Sequence, residues 1–231
     1  MPAENILLLP GMMCDARLWE PQSQAFEQPV FYADMTRADN IRDMGTQVLA
    51  EAPQQFAIAG LSMGGILAFE IWRQAPERVT HMALLDTNPR AELAARQSLR
   101  MQQIQTALAG GLRELAIEAL KPVYLAEAHR NDQELLATIL NMVTDLGPEV
   151  FRTQSLALRD RPNSVPTLRT IDCPTLVMCG AEDSICPVEY HEFMAGRVPH
   201  ARLRIIENCG HMSSLEQPDV VTQELLQLFT H

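Results

Sequence analysis

The chain has 231 residues, 47% of them hydrophobic, with 18 basic residues against 29 acidic ones and a formal net charge of -11. That length suits one domain, or one domain carrying an insertion, with a large buried core. The acidic balance argues against nucleic acid or an anionic membrane surface as partner, and the apolar stretches fall well short of the roughly 18 residues that span a bilayer.

The start, MPAENILLLPGMM, carries Glu4 where a secretory signal would be basic. Its apolar run 5–10 reads as a buried strand, and VFYAD (30–34) reads as a second. Residues 41–52 follow a helix-capping signal at Asp39-Asn40 and stop at Pro53. FAIAG (56–60) is the third strand, and 64–75 a helix that ends before Pro76. HMALLDT (81–87) is the fourth strand. These runs are continuous rather than alternating, as in a parallel sheet covered on both faces.

The alternation then breaks. Residues 90–158 hold no strand and read as helices over about 91–108, 112–120, 131–145 and 148–158, separated by Gly110-Gly111 and Gly147-Pro148. Leu112, Leu115, Ile117 and Leu120 form one apolar face, and Leu135, Leu136, Ile139, Leu140 and Val143 another. The insertion leaves and rejoins at one sheet edge, so it is expected to be a helical lid over the carboxyl ends of the strands. Strands return at 175–180 and 202–207, with helices at 187–196 and 217–229. The expected division is a core of 1–89 and 159–231, with 90–158 as the lid.

Ser62, in AGLSMGGILAFE, stands where a buried strand turns into a helix. Gly60 and Gly64 avoid collisions across a sharp, strained turn that lifts the hydroxyl above the sheet. A serine hydroxyl needs a base. His211 follows the last strand, on the same edge. His81 starts a strand, His129, His191 and His200 read as surface, and His231 is terminal. Asp183, after the strand 175–180, is the expected acid, with Glu182 and Asp86 as rivals. The Met63 amide follows the nucleophile, and Met12, next to Gly11, is the expected second oxyanion donor, with Met13 as its neighbouring alternative. Met13, Asp86, Met142 and Met212 are expected to line the substrate pocket.

Four stretches carry a resemblance: GLSMGG (60–65), APERVTHMALLDT (75–87), IDCPTLVMCGAEDSICP (171–187) and CGHMSSLEQP (209–218). They resemble the α/β-hydrolase superfamily, in particular its small esterases and enol-lactonases. The resemblance implies a mostly parallel sheet with helices on both faces and a helical lid, a Ser62–Asp183–His211 triad and an oxyanion hole of Met12 and Met63 amides. About six strands are expected rather than eight, because a leading antiparallel pair is missing. Pro10-Gly11 stands where many relatives carry His-Gly. A serine nucleophile makes dehalogenase and epoxide hydrolase chemistry improbable.

The expected function is hydrolysis of an ester, thioester or lactone of a small acyl compound, with no cofactor and no metal, by a monomer or homodimer. Alternatives on the same site are enol-lactone or carbon–carbon bond hydrolysis or a lyase step on a carboxylated substrate, with Arg37, Arg159 and Arg161 as anion ligands. A non-catalytic small-molecule receptor is the other class. The cysteines Cys14, Cys173, Cys179, Cys186 and Cys209 are odd in number and lack metal-type spacing, which fits reduced thiols in a cytoplasm.

Overall fold

The computed structural model describes residues 2–119 and 123–230. Leu120 and His231 lie outside the described residues. Six strands form one parallel sheet: β1 (Ile6–Leu9), β2 (Val30–Tyr32), β3 (Phe56–Leu61), β4 (Val79–Leu85), β5 (Thr175–Gly180) and β6 (Ala201–Ile206). Their order is β2-β1-β3-β4-β5-β6. The order reverses between β1 and β3, and in open parallel sheets that crevice is where ligands bind.

Strand alternation builds two cores from one sheet. Leu7, Leu9, Phe56, Ile58, Met82, Leu84 and Val177 point to one face. Ile6, Leu8, Ala57, Ala59, Leu61, Ala83, Leu85, Leu176 and Met178 point to the other. The first face is covered by α2 (Ile41–Glu51) and α3 (Met63–Gln74). The Asn40 side chain caps α2 by accepting from the Asp43 amide at 2.8 Å. All residues of α3 from Met63 to Trp72 are buried, as befits a helix apolar around most of its circumference. The second face is covered by Trp19, after which the short α1 (Glu20–Ser23) follows, and by Leu225 and Phe229 of the last helix (Pro218–Thr230).

The edges depart from expectation. The strand at 30–34 reads as buried, but β2 is an edge strand with Phe31 and Tyr32 exposed. At the other edge, Arg202 and Arg204 of β6 pair with Glu224, which puts charge on an exposed margin.

Between β4 and β5 lie α4 (Ala94–Thr106), α5 (Leu112–Ala119) and α6 (Gln133–Arg159). A wide turn over Ala107–Gly111 separates the first two, with Gly110 at φ 99°. α6 is broken at Gly147, whose φ is 78°, immediately before Pro148. The expected boundary between 131–145 and 148–158 therefore exists as a bend inside one element. Three helices close the chain: α7 (Val188–Ala195), α8 (Ser213–Glu216) and α9 (Pro218–Thr230). No described helix is long and apolar enough to cross a membrane.

Candidate active site

Ser62 is the single residue between β3 and α3, and its φ is 55° with ψ -111°. Such a backbone is costly for a residue with a side chain, about 1–3 kcal/mol, and persists where neighbours fix it. Here they do. The Ser62 amide donates to the Leu85 carbonyl at 2.9 Å, and its carbonyl accepts the Thr87 hydroxyl at 2.7 Å. A Cβ on Gly60 would lie 2.4 Å from the Gly64 backbone, and one on Gly64 would lie 2.2 Å from the Leu9 carbonyl oxygen. Both contacts are with backbone, so neither position tolerates a side chain.

The loops after β5 and β6 bring Asp183 and His211 to this point. His211 Nε2 lies 2.9 Å from Ser62 Oγ, and its Nδ1 lies 2.8 Å from Asp183 Oδ2. Asp183 Oδ1 accepts the Ile185 and Cys186 amides, each at 2.9 Å. This network sets the tautomer: Nδ1–H donates to the carboxylate, and the Nε2 lone pair faces the serine hydroxyl. Burial works to lower the His211 pKa. The Asp183 charge and hydrogen bond, with Asp86 and Glu216 further off, outweigh it and raise the pKa above its ordinary value.

The rival acids have other partners. Glu182 is exposed and accepts the Glu127 amide at 2.9 Å. Asp86 is fully buried, accepts the Gly180 amide at 3.0 Å and accepts the Ser213 hydroxyl. Burial, and then the nearby Asp183 charge, push its carboxyl well above the usual range. Asp86 lines neither of the two chambers at Ser62; it ties the end of β5, at Gly180, to the start of α8, at Ser213. Met142 is likewise fully buried in the core rather than in the pocket. His191, expected at the surface, is fully buried. Its Nε2 accepts the Thr87 amide at 2.9 Å, and burial depresses its pKa to about 4.

The two oxyanion candidates are separated by a residue absent from the sequence reading. Gln154 of α6 accepts the Met13 amide at 2.8 Å and donates to the Met35 carbonyl at 3.1 Å. Among the described residues, the Met12 and Met63 amides have no acceptor within the protein. Glu216 was also missed. One of its oxygens accepts the Gly210 and Met212 amides, each at 3.0 Å, and the other accepts the Ala126 amide at 2.8 Å. The His211 amide donates to the Tyr124 carbonyl at 2.7 Å, so the inserted segment and the histidine loop are joined. The acid in CGHMSSLEQP, soon after a glycine-containing loop, was the available signal.

Two chambers meet at Ser62. One is mainly apolar and includes Met12, Met13, Leu112, Val143, His211 and Met212, with Arg100 at its border with the other. The other includes Arg90, Glu92, Arg96, Arg100, Arg161 and Tyr190. Of the arginines singled out from the sequence, Arg161 is present here. Arg37 pairs with Asp34 and Glu51, and Arg159 with Asp160, outside both chambers.

Asp183, Cys186 and His211 offer ligand atoms within 4.8 Å of one another, the kind of grouping that could hold a metal ion. Hydrogen bonds already occupy both Asp183 oxygens and Nδ1 of His211. Burial raises the Cys186 thiol well above its ordinary pKa, which keeps it protonated. The donor set is that of a hydrogen-bonded relay and does not suit a cation.

Residues 6–224 match the sequence model of the alpha/beta hydrolase family. The pimeloyl-[acyl-carrier protein] methyl ester esterase of Nitrosomonas europaea is 25% identical over 93% of this chain and 91% of its own length. A thermophilic esterase from Thermogutta terrifontis superposes with a TM-score of 0.88 at 27% identity, covering 96% of this chain and 88% of that one. The enol-lactonase from Burkholderia xenovorans has the same fold, with a TM-score of 0.88 at 21% identity over 100% of this chain and 93% of its own. The fold, the elbow at Ser62 and a family pattern running over most of the sequence converge: the chain belongs to the alpha/beta hydrolase family.

Proposed function

We propose that the protein is a serine hydrolase that cleaves a carboxylic ester, thioester or lactone through an acyl-enzyme on Ser62. The observation that carries this reading is the continuous relay from Ser62 Oγ to His211 Nε2 at 2.9 Å and from His211 Nδ1 to Asp183 at 2.8 Å. Ser62 Oγ attacks the carbonyl carbon while Nε2 takes its proton. Asp183 fixes the ring and stabilises the imidazolium. The Met12 and Met63 amides point their donors at the oxyanion, each worth about 3–4 kcal/mol in the transition state. The proton on Nε2 then goes to the leaving group. Water, deprotonated by His211, releases the acid and restores the serine.

The esterases and the enol-lactonase to which the chain is similar act on the same kind of bond, and this supports the substrate class. The helices between β4 and β5 serve in this reading as the lid that shapes both chambers. The test is fluorophosphonate labelling followed by intact mass. The parent protein is expected to gain one adduct and Ser62→Ala none. Adduct formation on the folded Ser62→Ala protein, or turnover retained by it, would overturn the assignment.

A further inference from the structure

The second chamber is positively charged in a protein whose net charge is -11. Among the described residues, four arginines line it against a single carboxylate, Glu92. Glu92 is committed: it is buried between Arg100 at 2.7 Å and Arg161 at 2.9 Å. Burial alone would raise its pKa, but the two guanidinium groups hold it below the usual range. The Arg161 Nε also donates to the Arg90 carbonyl at 2.9 Å, which fixes the chamber wall. Arg90 packs over the Tyr190 and Phe193 rings, 4.7 and 4.5 Å from their centroids. Among the described residues, Arg90 and Arg96 have no carboxylate within 4.0 Å. The chamber is thus built with more cationic groups than its own acid can neutralise, and it opens on Ser62.

The position of the base orients a substrate across the two chambers. His211 must hand its proton to the leaving group, and His211 lines the apolar chamber but not the cationic one. The leaving group therefore departs on the apolar side. The acyl arm extends past Ser62 into the arginine-lined space.

We infer that the arginine chamber is a subsite for an anionic acyl arm, and that the preferred substrates are half-esters or half-thioesters of dicarboxylic acids. This rests on the serine hydrolase reading above. In the reaction the Ser62 Oγ–acyl bond forms as the acyl–leaving group bond breaks, and the leaving group carries off the proton from His211. Water then cleaves the acyl-enzyme, giving a free dicarboxylate and the regenerated hydroxyl. The guanidinium groups not paired with Glu92, those of Arg90 and Arg96, bind the distal carboxylate throughout, by charge-assisted hydrogen bonds of the kind arginine forms with planar anions.

The experiment compares kcat/KM for the p-nitrophenyl half-esters of adipic and suberic acid with that for p-nitrophenyl hexanoate and octanoate. The half-esters are expected to be preferred at least tenfold, with the preference falling as salt is added. Arg96→Glu is expected to lower the ratio of half-ester to neutral ester at least tenfold. Arg37→Ala, which alters an exposed arginine that lines neither chamber, is expected to leave the ratio unchanged. Neutral esters turned over as well as half-esters would overturn this subsite and leave the hydrolase reading intact. Adipate binding to Ser62→Ala, measured by calorimetry, tests the subsite without chemistry. Weakening at least tenfold in the Ser62→Ala, Arg96→Glu double variant supports the subsite even if no ester is cleaved, and equal binding overturns it.

Discussion

Glu216 joins Ala126, inside the helical segment between β4 and β5, to the loop that carries His211. Its two carboxylate oxygens serve three buried amides, those of Gly210, Met212 and Ala126. Gln in its place would turn an amide N–H toward at least one of these donors. Leaving a buried donor unsatisfied costs about 1–3 kcal/mol. Glu216→Gln is expected to lose about 1–3 kcal/mol in urea unfolding and to lower kcat. A variant of parental stability would show that these amides do not depend on the charge.

The strained backbone at Ser62 gives a second expectation. Glycine adopts φ 55° without steric cost, although it also frees the unfolded chain. Relief of about 1–3 kcal/mol set against about 1 kcal/mol of added unfolded-state entropy leaves Ser62→Gly more stable by about 1 kcal/mol. Ser62→Ala keeps the strain and is expected to lack that gain. Denaturant melts of the two inactive variants, run side by side, check the difference.

His191 makes stability depend on pH. Its folded pKa of about 4 lies below the ordinary 6.5. A group depressed in this way contributes stability above its unfolded pKa and loses that contribution as the pH falls through the folded one. The fully buried ring therefore accounts for roughly 3 kcal/mol of acid sensitivity between pH 6.5 and 4. His191→Gln, which can still accept from the Thr87 amide, is expected to flatten that limb of the stability curve. An unchanged slope would contradict the neutral, buried imidazole.

His211 has the opposite sign. Its pKa is raised, so the His211–Asp183 pair stabilises most below pH 6.5 and loses this contribution as the pH rises through the folded value. Catalysis needs the neutral base, so the acid limb of kcat/KM is expected to titrate above 6.5. Asp183→Asn removes the charge that offsets burial. It should move that limb downward and reduce kcat by about 10³–10⁴. A limb that stays in place would mean that another group titrates.

The meeting of Ser62, Asp183 and His211 was legible in the sequence because a parallel sheet places the loops after its strands on one edge, and each of the three follows a separate strand. The glycines around Ser62 marked the turn for a steric reason that the backbone contacts at Gly60 and Gly64 bear out. His191 was misread because the apolar residues of VEYHEFMA are spread around α7 rather than gathered on one side, which hides the inner face that His191 shares with Met194. Of the arginine chamber the sequence singled out only Arg161, for a related reason. Arg90, Arg96 and Arg100 belong to the start of an insertion, and its docking depends on tertiary contacts such as Glu92 with Arg161, distant in the chain. VFYAD was apolar enough for an interior strand, but nothing in its sequence showed that no further strand would pair with β2.

The pinning of Tyr124 and Ala126 to the histidine loop bears on how this enzyme could be re-engineered. A chimera that exchanged everything from 90 to 158 would discard the Glu216 partner and the Gln154 clasp on Met13, and with them the setting of the base and of the Met12 loop. Exchanging only α4 and α5 keeps both. Exchange over roughly 94–119 therefore alters the chamber walls at Arg96, Arg100 and Leu112, while the contacts of Gln154 with Met13 and of Glu216 with Ala126 stay in place.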